Sequence, residues 1–279
     1  MTENTGQTTF SGFHVGPPDR SEEKRGLTLT MDLGLDGKVA LVTGAGGGIG
    51  AGIAAALADE GCVVYLGDSN AEAAARVAAE CRGPGRPLTL DVGDPALLRQ
   101  GAERIVAEQG RIDILVNNAG ILKTGSVIEA TIEDWDQVCR VNLSGVYYGC
   151  KAVLPFMLQR KSGKIVNIAS VSAAKGGGAF GNVLYGTTKA GVIALTKGLA
   201  RDLAPFGINV NAVAPSVTET GMTGPLLSPE RRLAVLSAIP LGRFASTADI
   251  ARTVLFLASD VSAYITGDTI VVDGGYLTR

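Results

Sequence analysis

From Lys38 onward, short apolar runs alternate with longer stretches in which apolar residues return every three or four positions. The short runs are VALVT (39–43), CVVYL (62–66), PLTL (87–90) and IDILV (112–116), then KIVNIA (164–169), INVNAV (208–213) and TIVV (269–272). The first four recur at about 24 residues, the length of one strand plus one helix, with no repeat in the sequence between them. The gaps predict helices over 50–60, 71–82, 95–109, 131–159, 185–204 and 247–258. Thr131, with Asp134 three residues on, opens the fourth as a capping box. Strands that are apolar on both faces have to be covered on both faces, so the pattern predicts an α/β fold. The expected architecture is a single doubly wound domain over 31–279, its parallel sheet covered by helices on both faces. Residues 1–30 are polar, rich in Gly, Thr and Ser and without hydrophobic period, and are expected to form a flexible tail.

Composition narrows the partners. A net charge of −2 over 279 residues offers no electrostatic case for nucleic acid or an anionic membrane. No apolar run reaches the length of a membrane span, and the first thirty residues hold no apolar signal-peptide core. The cysteines, at 62, 81, 139 and 150, form no CxxC pair, and the only histidine is His14. A zinc site needs several such ligands at short spacing, so no metal is expected, and a cytoplasmic location is. Cys62 and Cys139 lie in apolar stretches and are read as small buried residues.

The candidate chemistry sits at strand ends. The first strand runs into TGAGGGIG, where Gly44, Gly48 and Gly50 permit a tight turn and close approach to a pyrophosphate, with Ile49 between the last two. The helix that follows would offer its N-terminal amides to that anion. Asp68, 24 residues after Gly44, would accept hydrogen bonds from adenosine ribose hydroxyls and repel a 2′-phosphate, so NAD is expected over NADP. As a plain turn residue or helix cap it would need no cofactor. Asp91 and Val92 follow the third strand, where a side chain reaches an adenine; NNAG, with Asn118, ends the fourth. Further on, YGTTK sets Lys189 one helical turn after Tyr185. At ~4 Å and an effective dielectric of ~20 the ammonium would favour the phenolate by roughly 4 kcal/mol, drawing a general acid/base toward neutrality. The same pair on an ordinary helix surface would do nothing.

Together these motifs closely resemble the short-chain dehydrogenase/reductase family over residues 36–279: TGAGGGIG, Asp91-Val92, NNAG, Asn142, the serine after IVNIA, YGTTK, NAVAP and the closing VDGG. The resemblance implies a Rossmann-type fold and an oxidoreductase that moves a hydride between a nicotinamide and a secondary alcohol or ketone. It makes Tyr185 the acid/base and Lys189 the group that lowers its pKa and holds the nicotinamide ribose. Ser170 orients the reacting oxygen, and Asn142 fixes a water that links Lys189 to solvent. Tyr185 lies fifteen residues after Ser170, two beyond the family's usual spacing, at which Ser172 stands instead. Ser170 is preferred because IVNIAS matches the family's strand end, and Ser172 is kept in reserve. Thr218 and Thr220 would meet the nicotinamide end, although Ser216 replaces a common glycine. The stretch 218–244 is expected to be a lid over a small-molecule alcohol or ketone, and the resemblance implies a homotetramer. An NADP-linked 3-oxoacyl-thioester reductase and a non-catalytic dinucleotide-binding sensor are the alternatives.

Overall fold

Alternation along the first strand decides which core each residue joins. In β1 (Val39–Thr43) all five residues are buried. Ala40 and Val42 face one way, into a cluster with Ile53, Leu57, Ile250 and Val254. Val39 and Leu41 face the other, into a cluster with Leu98, Ile105, Val153 and Met157. Two-sided burial of this kind requires a helical layer on each face of the sheet. The computed structural model describes residues 32–178, 181–221, 223–226 and 228–278, and Leu33–Arg279 forms one compact unit. The expected tail, residues 1–30, lies outside the described residues.

The sheet contains β1, β2 (Val63–Asp68), β3 (Gly85–Thr89), β4 (Ile114–Asn117), β5 (Gly163–Ile168), β6 (Ile208–Pro215) and β7 (Thr269–Val272). Its order is β3-β2-β1-β4-β5-β6-β7, and every pairing is parallel. Leu41 stands in register with Tyr65 on one side and Leu115 on the other. The chain leaves β1 outward to β2 and β3, then returns to place β4 on β1's other flank. The loops after β1 and β4 therefore diverge, opening a crevice at the carboxyl ends of the strands where such sheets bind ligands.

On one face lie α1 (Gly48–Asp59), α2 (Ala71–Glu80) and α9 (Thr247–Ala258); α3 (Pro95–Gln109), α5 (Gly145–Arg160) and α7 (Val183–Leu203) lie on the other. Local chemistry sets their ends. Asp94 caps α3 and Gly110, at φ 74°, terminates it. Ser246 and Asp249 form a capping box at α9.

The predicted helix over 131–159 is not continuous. Its start is as expected: the Thr131 hydroxyl accepts from the Asp134 amide at 3.1 Å, and the Asp134 carboxylate accepts from the Thr131 amide at 3.2 Å. The helix α4 (Ile132–Cys139) then widens into one π turn, Arg140–Ser144, before α5 begins. The single turn α6 (Ser172–Lys175) was not expected, whereas α8 (Pro229–Ser237), capped by Ser228, falls on the helix-like part, 229–239, of the stretch read as a lid. Cys62 and Cys150 are buried, whereas Cys139 is only half-buried, which corrects its reading as a core residue.

Candidate active site

The glycine loop is braced before any ligand arrives. The buried Thr43 hydroxyl accepts from the amides of Asn118 and Ala119, at 3.1 and 3.2 Å. Asn118 in turn donates from Nδ2 to the carbonyls of Thr43 and Gly44, each at 3.0 Å. Gly44 has φ +66°, and a Cβ there would sit 2.7 Å from Ala119 Cα. A Cβ on Gly50 would fall on the Gly44 carbonyl oxygen. Both positions need glycine for reasons of space, and Gly44 also for its backbone angle. Gly47 caps α1 in extended conformation and supplies no side-chain acceptor, and a Cβ on it would meet no atom within 4 Å. The first-turn amides of α1 have no side-chain cap and the approach to them is open, the arrangement that receives a phosphate.

Asp68, at the end of β2, bonds on both sides to backbone amides. One carboxylate oxygen accepts from the Gly46 amide at 2.8 Å, inside the glycine loop. The other accepts from the Asn70 amide at 2.9 Å, while Asn70 itself caps α2. Asp91 and Val92 are placed elsewhere. The Asp91 carboxylate accepts from the Gly93 amide at 2.8 Å and from Arg140 at 3.2 Å, bonds that hold its pKa below the usual carboxylate range. Val92 packs against Gly145. Neither lines the large cavity.

Asn182 positions the helix that carries the acid/base pair. Its Oδ1 accepts from the amides of Leu184 and Tyr185, at 3.1 and 3.3 Å, starting α7 two residues before the tyrosine. The Ser170 hydroxyl stands in hydrogen-bonding position to the Tyr185 phenol. Lys189, 3% exposed, donates to the Ile168 carbonyl at 2.7 Å, and its Nζ is 5.7 Å from the Tyr185 ring centre. The expected fall in the tyrosine pKa is not found. Burial pushes the phenol up, the Ser170 bond only partly offsets this, and burial pushes Lys189 down to about 8. The reason is geometric: helical spacing brings the lysine to the correct face, but a backbone carbonyl of β5 takes its ammonium. Asn142, fully buried in the π turn, forms a two-way pair with Ile121, accepting from its amide at 2.8 Å and donating to its carbonyl at 2.9 Å. It therefore fastens the loop after β4 behind Gly120 and Lys189.

One cavity of about 450 Å³ gathers most of these groups, within the usual range for small-molecule sites. Gly44, Gly48, Ile49, Asp68, Asn118, Ser170, Tyr185, Lys189, Thr218 and Thr220 all line it, and Gly50 and Asn142 pack behind it. Ser172, the reserve serine, also lines the cavity. It begins α6, and its amide donates to the Ser170 hydroxyl at 3.1 Å. Among the wall residues that sequence reasoning passed over are Leu122, Val171, Val217 and Tyr276. Three of these have the apolar character of core residues; the signal for Tyr276 was its place directly after VDGG.

The chain is similar to known proteins over most of its length. A family model described as Enoyl-(Acyl carrier protein) reductase matches residues 44–277. The chain is similar to the 3-oxoacyl-(acyl-carrier-protein) reductase FabG of Thermotoga maritima, 44% identical over 244 residues that cover 86% of this chain and 98% of the relative. It is also similar to the D-threitol dehydrogenase of Mycolicibacterium smegmatis, 42% identical over 256 residues that cover 91% of this chain and 98% of the relative. Among solved structures it is similar to a 3-ketoacyl-(acyl-carrier-protein) reductase from Brucella melitensis complexed with NADH. That match has a TM-score of 0.80 and 34% identity, and covers 87% of this chain and 99% of the other.

Proposed function

The chain belongs to the short-chain dehydrogenase/reductase family and interconverts CH–OH and carbonyl groups with a nicotinamide cofactor, and we propose that it prefers NAD and acts on a secondary alcohol or its ketone. The observation that carries the cofactor preference is Asp68, whose carboxylate reaches into the glycine loop at Gly46 and lines the cavity. Negative charge there suits the ribose hydroxyls of NAD and opposes a 2′-phosphate. The NADH complex of the Brucella neighbour supports the same reading.

The residues present fit a dinucleotide: the uncapped start of α1 with open space at Gly47 for the pyrophosphate, Asp68 for the adenosine ribose, and Lys189 for the nicotinamide ribose. When bound, the nicotinamide supplies or accepts the hydride. This chain's part is to hold and move a proton. Burial keeps the Tyr185 phenol protonated, so it donates to a carbonyl oxygen during reduction. Ser170 donates to the same oxygen and stabilises charge as it develops. In oxidation the phenolate accepts the alcohol proton, and the Ser170 hydrogen bond is the contact that favours this anion against the burial that opposes it.

The similarity to acyl-carrier-protein reductases favours a second reading, an NADP-linked 3-oxoacyl-thioester reductase. The D-threitol dehydrogenase similarity supports an alcohol. Steady-state rates with an alcohol panel and a 3-oxoacyl thioester, each with both cofactors, separate the two. Asp68→Ala is expected to raise KM for NAD and improve use of NADP. A wild type that already prefers NADP refutes the assigned role of Asp68.

The same proposal extends to assembly and location. Ile132 (73% exposed) and Trp135 (41% exposed) on α4 and Tyr147 on α5 leave apolar surface uncovered, as does Val271 on the edge strand β7. Such surface suits contacts between copies, and a homotetramer is the assembly we propose, to be checked by light scattering. Among the described residues no helix is long and apolar enough to cross a membrane; a cytoplasmic location and a lid over 218–244 belong to this proposal.

A further inference from the structure

Two hydroxyls in the cavity are not used by the proton-transfer machinery. Ser170 and Tyr185 are committed to the reacting oxygen. Ser172 is 7% exposed and lines the same cavity, yet its hydroxyl makes no hydrogen bond to any described residue. Gly178 leaves it uncovered, since a Cβ there would sit 2.9 Å from the Ser172 Oγ. The hydroxyl is not sealed off, since among the described residues only the Thr269 hydroxyl is a fully buried side-chain polar atom without a partner, so a ligand in the cavity can reach it. The Tyr276 hydroxyl makes no hydrogen bond to a described residue, and Tyr276 lines the cavity.

Tyr276 is held in place from both sides. The Asp273 carboxylate accepts from the amides of Gly275 and Leu277, each at 2.8 Å, and so fixes the C-terminal turn. The Lys175 ammonium lies 4.0 Å over the Tyr276 ring. Lys175 ends the helix that Ser172 begins, so α6 carries one free hydroxyl and clamps the residue that bears the other. The longer Ser170–Tyr185 span noted in the sequence is where this turn is built.

We propose that Ser172 and Tyr276 form a second hydroxyl-binding subsite beside Ser170 and Tyr185, and that the substrate is a short-chain polyol or its hydroxyketone. This rests on the alcohol–ketone reading above. The Ser172 amide donates to the Ser170 hydroxyl at 3.1 Å and both residues line the cavity, so Ser172 stands next to the group that orients the reacting oxygen. Serine and tyrosine hydroxyls both donate and accept, as do the hydroxyls of a polyol, whereas a thioester carbonyl only accepts. The cavity is shared with the cofactor, which leaves room for a small molecule.

The test compares kcat/KM with NAD for 2-butanol, 2,3-butanediol and threitol, alongside reduction of a 3-oxobutanoyl thioester. For the wild type, the better of the two polyols is expected to exceed 2-butanol about tenfold or more, the worth of one good hydrogen bond. Ser172→Ala and Tyr276→Phe are each expected to cut that ratio by roughly five- to tenfold. A binding measurement stands beside the rates: calorimetric titration of threitol into NAD-loaded Tyr185→Phe, where adding Ser172→Ala should weaken binding about tenfold. Turnover of 2-butanol with a polyol ratio near one, or a ratio unmoved by both variants, overturns the subsite and leaves the alcohol–ketone reading standing. Turnover of the thioester alone overturns both.

Discussion

Replacing Lys189 with Met should abolish activity and yet stabilise the cofactor-free protein. The lysine is 3% exposed, and burial lowers its pKa from 10.5 to about 8. Because the native state binds its proton less tightly than the unfolded chain, the charge opposes folding. The cost is fully present below the native value of about 8 and is relieved as pH rises toward 10.5. A shift of that size corresponds to about 3 kcal/mol at pH 7. Methionine fills similar volume without the charge but gives up the 2.7 Å bond to the Ile168 carbonyl, a loss of about 1–2 kcal/mol. The net gain at pH 7 is about 1–2 kcal/mol, or roughly 3–6 °C in Tm for a domain of this size. By pH ~9.5 the cost of the wild-type charge has fallen to about 1 kcal/mol, so the two melting curves should converge. Scanning calorimetry of both proteins from pH 6.5 to 9.5, without cofactor, reads this directly. A variant that melts at or below the wild type throughout, with a gap that does not change with pH, refutes the account of Lys189 as a destabilising buried charge.

Ser170→Ala should lower kcat about 100-fold or more, the scale of losing one donor aimed at the reacting oxygen. NAD titration should be nearly unchanged, and weakened cofactor binding would place the serine elsewhere. Carbonyl reduction should hold its rate at low pH, because burial keeps the Tyr185 phenol protonated, while alcohol oxidation should rise with pH as that proton is lost. Oxidation at pH 6.5 as fast as at pH 8.5 would contradict this assignment of the proton.

The sheet could be read from the sequence because two-sided burial leaves continuous apolar runs, and all seven observed strands overlap the runs that predicted them. The glycine loop was legible for a similar reason: few side chains can stand where Gly44 and Gly50 do. What escaped notice depends on contacts from far along the chain. Nothing near Asn142 announces a π turn, since Val141 and Leu143 fit a continuous helix; the turn goes with a pairing to Ile121, twenty-one residues back. Asp91 followed its strand as expected but is taken up by Gly93 and by Arg140, forty-nine residues on. Spacing placed Lys189 beside Tyr185, and only the fold could show the Ile168 carbonyl that takes its ammonium.

These contacts share one feature. Thr43 and Asn118 brace the loops after β1 and β4, the Ile168 carbonyl at the end of β5 holds Lys189, and Asn142 fastens the chain just beyond NNAG. The machinery for cofactor and proton is thus tied to backbone groups at three neighbouring strand ends, which the hydrogen bonds of the sheet hold rigid. The wall that would meet the rest of the substrate is built differently. Ser172 and Lys175 sit on a single helical turn, and Tyr276 on a C-terminal turn held by one aspartate and one cation–π contact. Side-chain changes there would alter which alcohol fits while leaving the Lys189–Ile168 and Ser170–Tyr185 bonds in place, because neither bond uses a side chain of either turn. The link between the two regions is Ser170, which meets the Tyr185 phenol on one side and accepts from the Ser172 amide on the other.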